Sequence, residues 1–509
     1  MNMNEIRIGT KVIRVKQEWK TGFLATWILG LLAHAYRFFN FLPTWDSMYN
    51  FTGTGATFWS GRCFLGYFSD ISSKYDMPWV NGALSLFYIS IAVVMLIDLF
   101  EIKERLYCIL LAGLVVSFPT VTSTFAYMFT ADGYMMAFLL SVTGIWLTCK
   151  FKHGVWPGAV CIGLSMGTYQ AYISVTLMVV LLIAVKALLL DKKSFKNAFF
   201  EYWRCLAAIL GGAVFYKVAD SLFNAYYGIT LTGYQGIDSV GILTLAQYKE
   251  ALHKTFSSLA HLWCLHNGLF STNKYGLANA AVVGGILLGT VILIVKNKTY
   301  KDVLGVIVTA LAIIVLPIAA FSVNFVSPGT SYHTLMEMGV CFIYLLLLLY
   351  IVHGEWKNKA GKALQVIGVC VLAFLCYYNT VNANIAYNSM NLSYQKSYGV
   401  CSNILDRIEQ LDEYPEVSKV ALIGDYHAAS GGIDELSPTI MGVSQDIYLK
   451  TDYHYISMWN YCFGRGFAMT SGEEKEAIKQ TEEYQELSAY PAKNCVAVIN
   501  GTIVVKLSE

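Results

Sequence analysis

The residues of this chain best suited to chemistry lie in the stretch FLPTWDSMYNFTGTGATFWSGRCFLGYFSDISSKYDMPW, Phe41 to Trp79. Asp46 follows Trp45 near its start, Arg62 sits in SGRCF near its middle, and Tyr49 and Trp59 lie between them. A carboxylate held at a surface can accept a proton from an attacking hydroxyl. A guanidinium presents a planar fork of donors that fits a phosphate. Aromatic rings supply flat apolar faces on which a ligand can stack. Asp70, Lys74 and Asp76, closer to the next apolar segment, read as a solvated rim.

Four other places carry titratable or polar groups. In FAYMFTADGYMMAFLL, Asp132 follows Tyr127 at the outer end of an apolar segment, where it either caps the helix or faces a cavity. In AHAYRFFN, His34 and Arg37 share a helix face, and Arg37 either snorkels to the headgroups or meets a lipid phosphate. In GGAVFYKVADSLF, Lys217 and Asp220 stand three residues apart, so they neutralise each other or leave Lys217 for an anion. SMGTYQAYIS holds Tyr169, Gln170 and Tyr172; interface anchoring accounts for the tyrosines and leaves Gln170 as a candidate contact. His253, His261 and His266 are eight and five residues apart, a poor match to zinc-ligand spacing, and no metal site is expected.

These residues must be positioned by membrane helices. Of the 509 residues 56% are hydrophobic and only 14% charged, with a mean hydropathy of +0.50. That is far less charge than a soluble enzyme carries. The net charge of +2, with no concentrated Lys and Arg footprint, excludes a nucleic-acid partner. The twelve cysteines are scattered, mostly in apolar runs, and form no CxxC pair. Apolar segments recur at 21–40, 80–100, 106–118, 127–149, 155–168, 171–190, 205–223, 276–295, 303–321, 334–352 and 363–380, giving about eleven spans in an all-α polytopic membrane protein. The segments at 106–118 and 155–168 are short for a bilayer and could be broken or half-helices.

Charge supports this count. Alternation puts Lys103 and Arg105, Lys150 and Lys152, Lys192 to Arg204, Lys296 to Lys301, and Lys357 to Lys362 on the inside. The loops it puts outside, at 119–126 and 322–333, carry no Lys or Arg. Residues 1–20 then form a retained, basic cytoplasmic segment, 21–380 a membrane domain with long outside loops 41–79 and 224–275, and 381–509 an extracytoplasmic domain. In that last part KVALIGD and CVAVINGTIVVKLS read as strands of a small α/β unit. No internal repeat is apparent, which weighs against a transporter of duplicated halves.

The long first loop with its early acid and central GR pair, then TFAYMFTADGYMMAFLLS, SMGTYQAYISV and VNANIAYNSMNLSYQKSYGVCSNILDRI, resembles the GtrII-type glucosyltransferases of bacteria. The resemblance implies a GT-C-like membrane enzyme that takes a sugar from a polyprenyl-phosphate carrier outside the cytoplasmic membrane and adds it to a surface polysaccharide or glycopolymer. Loops of this kind look like a paired DD near the start. Here Ser47 follows Asp46, so one carboxylate suffices or Asp132 supplies the second. Under this resemblance Asp46 is the base of an inverting displacement, and Arg37, Arg62 and Lys217 are the candidate phosphate cations. Trp45, Tyr49, Trp59, Tyr127 and Gln170 are the sugar or lipid contacts. No cofactor is expected, because a carrier with one phosphate does not require a metal, although Asp46 and Asp132 could share a cation. A flippase of lipid-linked sugars and a surface-polysaccharide polymerase are the competing readings. The enzyme reading expects Asp46, Asp132 and one of the three cations to meet in a single outward cavity.

Overall fold

All eleven apolar segments lie in helices, and the chain is mostly helical. The computed structural model describes residues 5–8, 11–51, 53, 55, 57–73, 75–230, 244–260, 274–327, 332–428, 440–444 and 446–509. A short hairpin, β1 (Glu5–Ile8) and β2 (Lys11–Arg14), precedes α1 (Gln17–Phe39). The first long loop holds α2 (Trp45–Tyr49) and α3 (Leu65–Ser69). There follow α4 (Pro78–Phe100), α5 (Arg105–Val116), α6 (Pro119–Ala126), α7 (Met128–Lys150), α8 (Val155–Thr168), α9 (Ile173–Val185) and α10 (Phe195–Tyr227). Then come α11 (Leu245–Ala260), α12 (Lys274–Lys296), α13 (Val303–Ala320), α14 (Val323–Val326), α15 (Met338–His353) and α16 (Lys359–Glu409).

Among the described residues, eight helices are long and apolar enough to cross a membrane, or nine if the pair α5 and α6, bent by 43°, is one span. That is fewer than the eleven apolar segments because two of their helices are short and one is bent. The segments at 155–168 and 338–353 form helices too short to span alone. Pro119 at the start of α6 ends α5, because proline cannot continue the ladder of the helix before it. The short α8 is packed tightly between α7 and α10. A side chain at Gly158 would meet the Gly144 carbonyl oxygen at 2.6 Å, and one at Gly163 would meet that of Gly212 at 2.8 Å.

The loops that charge places inside gather at one end of the bundle. Asp98 pairs with Lys16 at 2.8 Å and with Lys150 at 3.0 Å, and Lys186 lies between Glu101 at 3.0 Å and Asp191 at 2.9 Å. The first long loop and the C-terminal region sit at the far ends of α1 and α7. No break marks residue 380, because α16 runs unbroken to Glu409 and carries the chain out of the apolar region. The tail adds β3 (Lys419–Ile423), α17 (Asp452–Cys462), β4 (Ala468–Met469), α18 (Gly472–Lys479), α19 (Glu482–Glu486), β5 (Val496–Ile499) and β6 (Thr502–Lys506). Its small sheet has the order β4-β3-β6-β5, with β3 parallel to both neighbours and β5 antiparallel to β6. Tyr448, Met458 and Trp459 share one buried core with Phe125 and Tyr127 of the helical body, so the tail caps the bundle.

Candidate active site

At the capped end lies a cavity of about 500 Å³. Asp46, Tyr49 and Asn50 reach it from α2 and its end, and Trp59 and Arg62 from the following loop. Tyr127, Phe129, Thr130 and Tyr134 reach it from the start of α7. Tyr169, His333, Leu335, Met336 and Met441 complete the lining, with Gly55 at the edge.

The helix carrying Asp46 is one turn long, started by a capping box in which Thr44 and Ser47 bond each other's backbone N–H. Asn50 closes it by donating to the Asp46 carbonyl oxygen at 2.8 Å. Burial raises the pKa of the Asp46 side chain above the ordinary carboxylate value, and the nearby Arg62 guanidinium opposes that rise. Arg62 Nη1 donates to the Tyr134 hydroxyl at 3.0 Å, and the guanidinium lies 5.1 Å over the Tyr169 ring. Those two rings stack at 4.3 Å, so the cation rests on a rigid aromatic step.

The turn before Arg62 is held from below. Gly61 takes the left-handed backbone conformation at φ +67°, which favours glycine. Gln170 Nε2 donates to the Ser60 carbonyl oxygen at 3.1 Å and to that of Gly61 at 2.8 Å, and the Tyr216 hydroxyl also donates to Gly61 at 3.1 Å. Burial, reinforced by the Arg62 charge, lowers the His333 pKa to about 4, so its ring is neutral at physiological pH.

Of the ten candidates, Asp46, Tyr49, Trp59, Arg62 and Tyr127 meet in this cavity. The other five are placed elsewhere. Gln170 supports the loop rather than lining the space. Trp45 packs against Tyr448 at 5.6 Å. Lys217 is exposed on α10, beside Asp220. Asp132 is fully buried, accepts the Gly133 N–H at 3.0 Å and faces Ser72, and it is not among the residues that line the cavity. Arg37 is fully buried as well. It donates to the Phe125 and Asn40 carbonyl oxygens at 2.9 Å and 3.0 Å and lies 3.8 Å from Asp76.

Asp76 is therefore not part of a solvated rim: its side chain is 1% exposed because it faces Arg37 inside the protein. Asp70 is exposed, as a rim residue would be. Lys74, His261 and His266 lie outside the described residues, and His253 is exposed on α11. Among the described residues no three His, Cys, Asp or Glu side chains gather to hold a metal ion.

Sequence reasoning missed Tyr134, His333 and Met441, and it read Tyr169 as an interface anchor although its ring is 2% exposed beneath Arg62. For Tyr134 a signal existed: it lies four residues after Thr130 and seven after Tyr127, on one face at the start of α7. His333 and Met441 are brought in by tertiary structure alone.

The family profile described as glucosyl transferase GtrII matches residues 35–350, more than half of the chain. The chain belongs to that family. No curated protein and no solved structure matches it. The GtrII match contains every residue lining the cavity except Met441. It also contains the supports of Arg62, namely Tyr134, Tyr169, Gln170 and Tyr216. A GtrII protein is by its family a glucosyltransferase, and the long apolar helices of this one are consistent with a membrane setting.

Proposed function

We propose that this GtrII protein moves glucose from a polyprenyl-phosphate carrier to a hydroxyl of a cell-surface polysaccharide or glycopolymer, at the outer face of the bacterial cytoplasmic membrane. The supporting observation is the meeting of one carboxylate, Asp46, and one guanidinium, Arg62, in a cavity walled by aromatic rings. The acceptor oxygen attacks the anomeric carbon and its proton passes to the Asp46 carboxylate. The bond from that carbon to the phosphate oxygen breaks, its electron pair stays on the lipid phosphate, and Arg62 meets the growing charge. One displacement inverts the anomeric centre.

The environment suits both roles. Partial burial raises the Asp46 pKa and makes it a stronger base than an exposed aspartate, while the Arg62 charge limits that rise. The step formed by Tyr134 and Tyr169 fixes the guanidinium plane, so little reorganisation is needed as charge develops. Trp59 and Tyr127 offer faces to the donor's sugar ring or its first isoprene units, and Tyr49, beside Asp46, offers one to a sugar ring. Neutral His333 offers one donor and one acceptor to a sugar hydroxyl.

The donor class is tested by giving the purified protein, in nanodiscs with surface polysaccharide from the producing cell, either short-chain polyprenyl-phosphate glucose or a nucleotide-activated glucose. Transfer from the lipid donor alone is expected. Equal transfer from the nucleotide sugar, with no lipid carrier present, would contradict the proposal.

A further inference from the structure

The GtrII match ends at residue 350, yet part of the site is built from beyond it. Met441 lines the cavity, and its carbonyl oxygen accepts the Ser123 hydroxyl at 2.9 Å. Next to it Gly442, at φ +92°, lets the chain pass so close that a side chain there would sit 2.9 Å from the Tyr127 ring. Helix α17 docks directly on α2. Ser457 Oγ donates to the Met48 carbonyl oxygen at 2.6 Å, and Tyr461 stacks on Phe51 at 4.1 Å. Tyr453 stacks on Tyr49 at 4.1 Å with planes 4° apart, and the Thr451 and Tyr49 hydroxyls are 3.3 Å apart.

A helix of one turn has too few internal hydrogen bonds to fix its own direction. Contacts from α17 therefore help to set the direction of α2, and with it the aim of Asp46 and Tyr49. The supports of Arg62 described above, by contrast, all lie inside the match. In a single displacement the attacking hydroxyl and the leaving phosphate occupy opposite faces of the anomeric carbon. The base serves the hydroxyl and the cation serves the phosphate, so the two supports serve different substrates.

We infer that the tail is the acceptor side of the site: Tyr453 and Ser457 are positioning residues that place α2 so that a sugar ring of the acceptor glycan lies against Tyr49 with its hydroxyl at Asp46. The inference rests on the glycosyl-transfer reading above.

The test uses the full-length protein in nanodiscs, polyprenyl-phosphate glucose as donor and polysaccharide released from the producing cell as acceptor, with kcat and both KM values measured. Tyr453→Ala is expected to lower kcat/KM for the polysaccharide about 100-fold, the cost of misplacing a reacting group by about 1 Å. The donor KM should stay at the wild-type value. Tyr453→Phe should restore the acceptor constants, because stacking needs only the ring, whereas a requirement for the hydroxyl would overturn the stacking argument. Ser457→Ala is the milder variant should Tyr453→Ala not fold, with a smaller loss again confined to the acceptor. Wild-type acceptor kinetics in the folded variants, or a loss falling on the donor KM, would overturn the inference. If Asp46→Asn still transfers glucose, the underlying reading fails; if Asp46→Asn is inactive while the tail variants are normal, only the inference fails.

Discussion

Arg62 Nη1 donates a 3.0 Å hydrogen bond to the Tyr134 hydroxyl while the guanidinium plane lies over Tyr169. Only a planar fork can do both at once, since an ammonium has neither the second arm nor the flat face. Arg62→Lys should therefore raise the apparent donor KM by about tenfold or more, and Arg62→Ala further, with smaller effects on the acceptor KM. Steady-state kinetics with each substrate varied in turn will show this. An unchanged donor KM in Arg62→Ala would argue against a phosphate contact.

The acid limb of the rate profile should report Asp46. The carboxylate is the active form, so the rate falls as pH drops through its pKa. Burial places that pKa above the ordinary value, which moves the limb toward neutrality. The Arg62 charge pulls the other way, so Arg62→Gln should move the limb to still higher pH. A limb that stays put or moves to lower pH would show that Arg62 does not act on Asp46.

Gln170 and Lys217 should separate cleanly. Gln170→Ala frees the turn at Ser60 and Gly61 and should lower donor kcat/KM about tenfold through a displaced Arg62. Lys217→Met, at an exposed position that does not line the cavity, should leave both substrates within about twofold of wild type. The reverse order would return Lys217 to the phosphate.

Arg37 and Asp76 are a buried pair, with side chains 0% and 1% exposed. Removing one partner strands the other charge, so Asp76→Leu or Arg37→Met alone should destabilise the protein by about 3–5 kcal/mol. The double variant should recover much of that loss. Thermal unfolding in detergent measures the effect, and single variants as stable as wild type would show that the pair contributes nothing.

Helix positions were legible because long uninterrupted apolar runs favour helices whose backbone groups pair within the segment, and all eleven runs proved helical. The meeting of Asp46, Arg62, Tyr49 and Trp59 was legible because one loop holds them all. What the sequence hid depends on contacts between distant residues. Arg37 and Asp76 find each other only when α1 packs beside the start of α4, so each looked like a surface charge. Tyr169 looked like an anchor because its partners, Arg62 and Tyr134, come from elsewhere in the chain. The continuation of α16 past residue 380 was hidden because polar positions replace apolar ones where the helix leaves the apolar region, while its backbone does not change.

In the proposed reaction Asp46 accepts the proton, and an isosteric substitution isolates that role. Asp46→Asn keeps the shape and removes the base, so the purified, correctly folded variant should transfer glucose about 10²–10⁴-fold more slowly than wild type. Asp132→Asn, at a buried position that does not line the cavity, should stay within about threefold of wild type in the same assay. Near-normal transfer by Asp46→Asn, or a collapse confined to Asp132→Asn, would contradict the account.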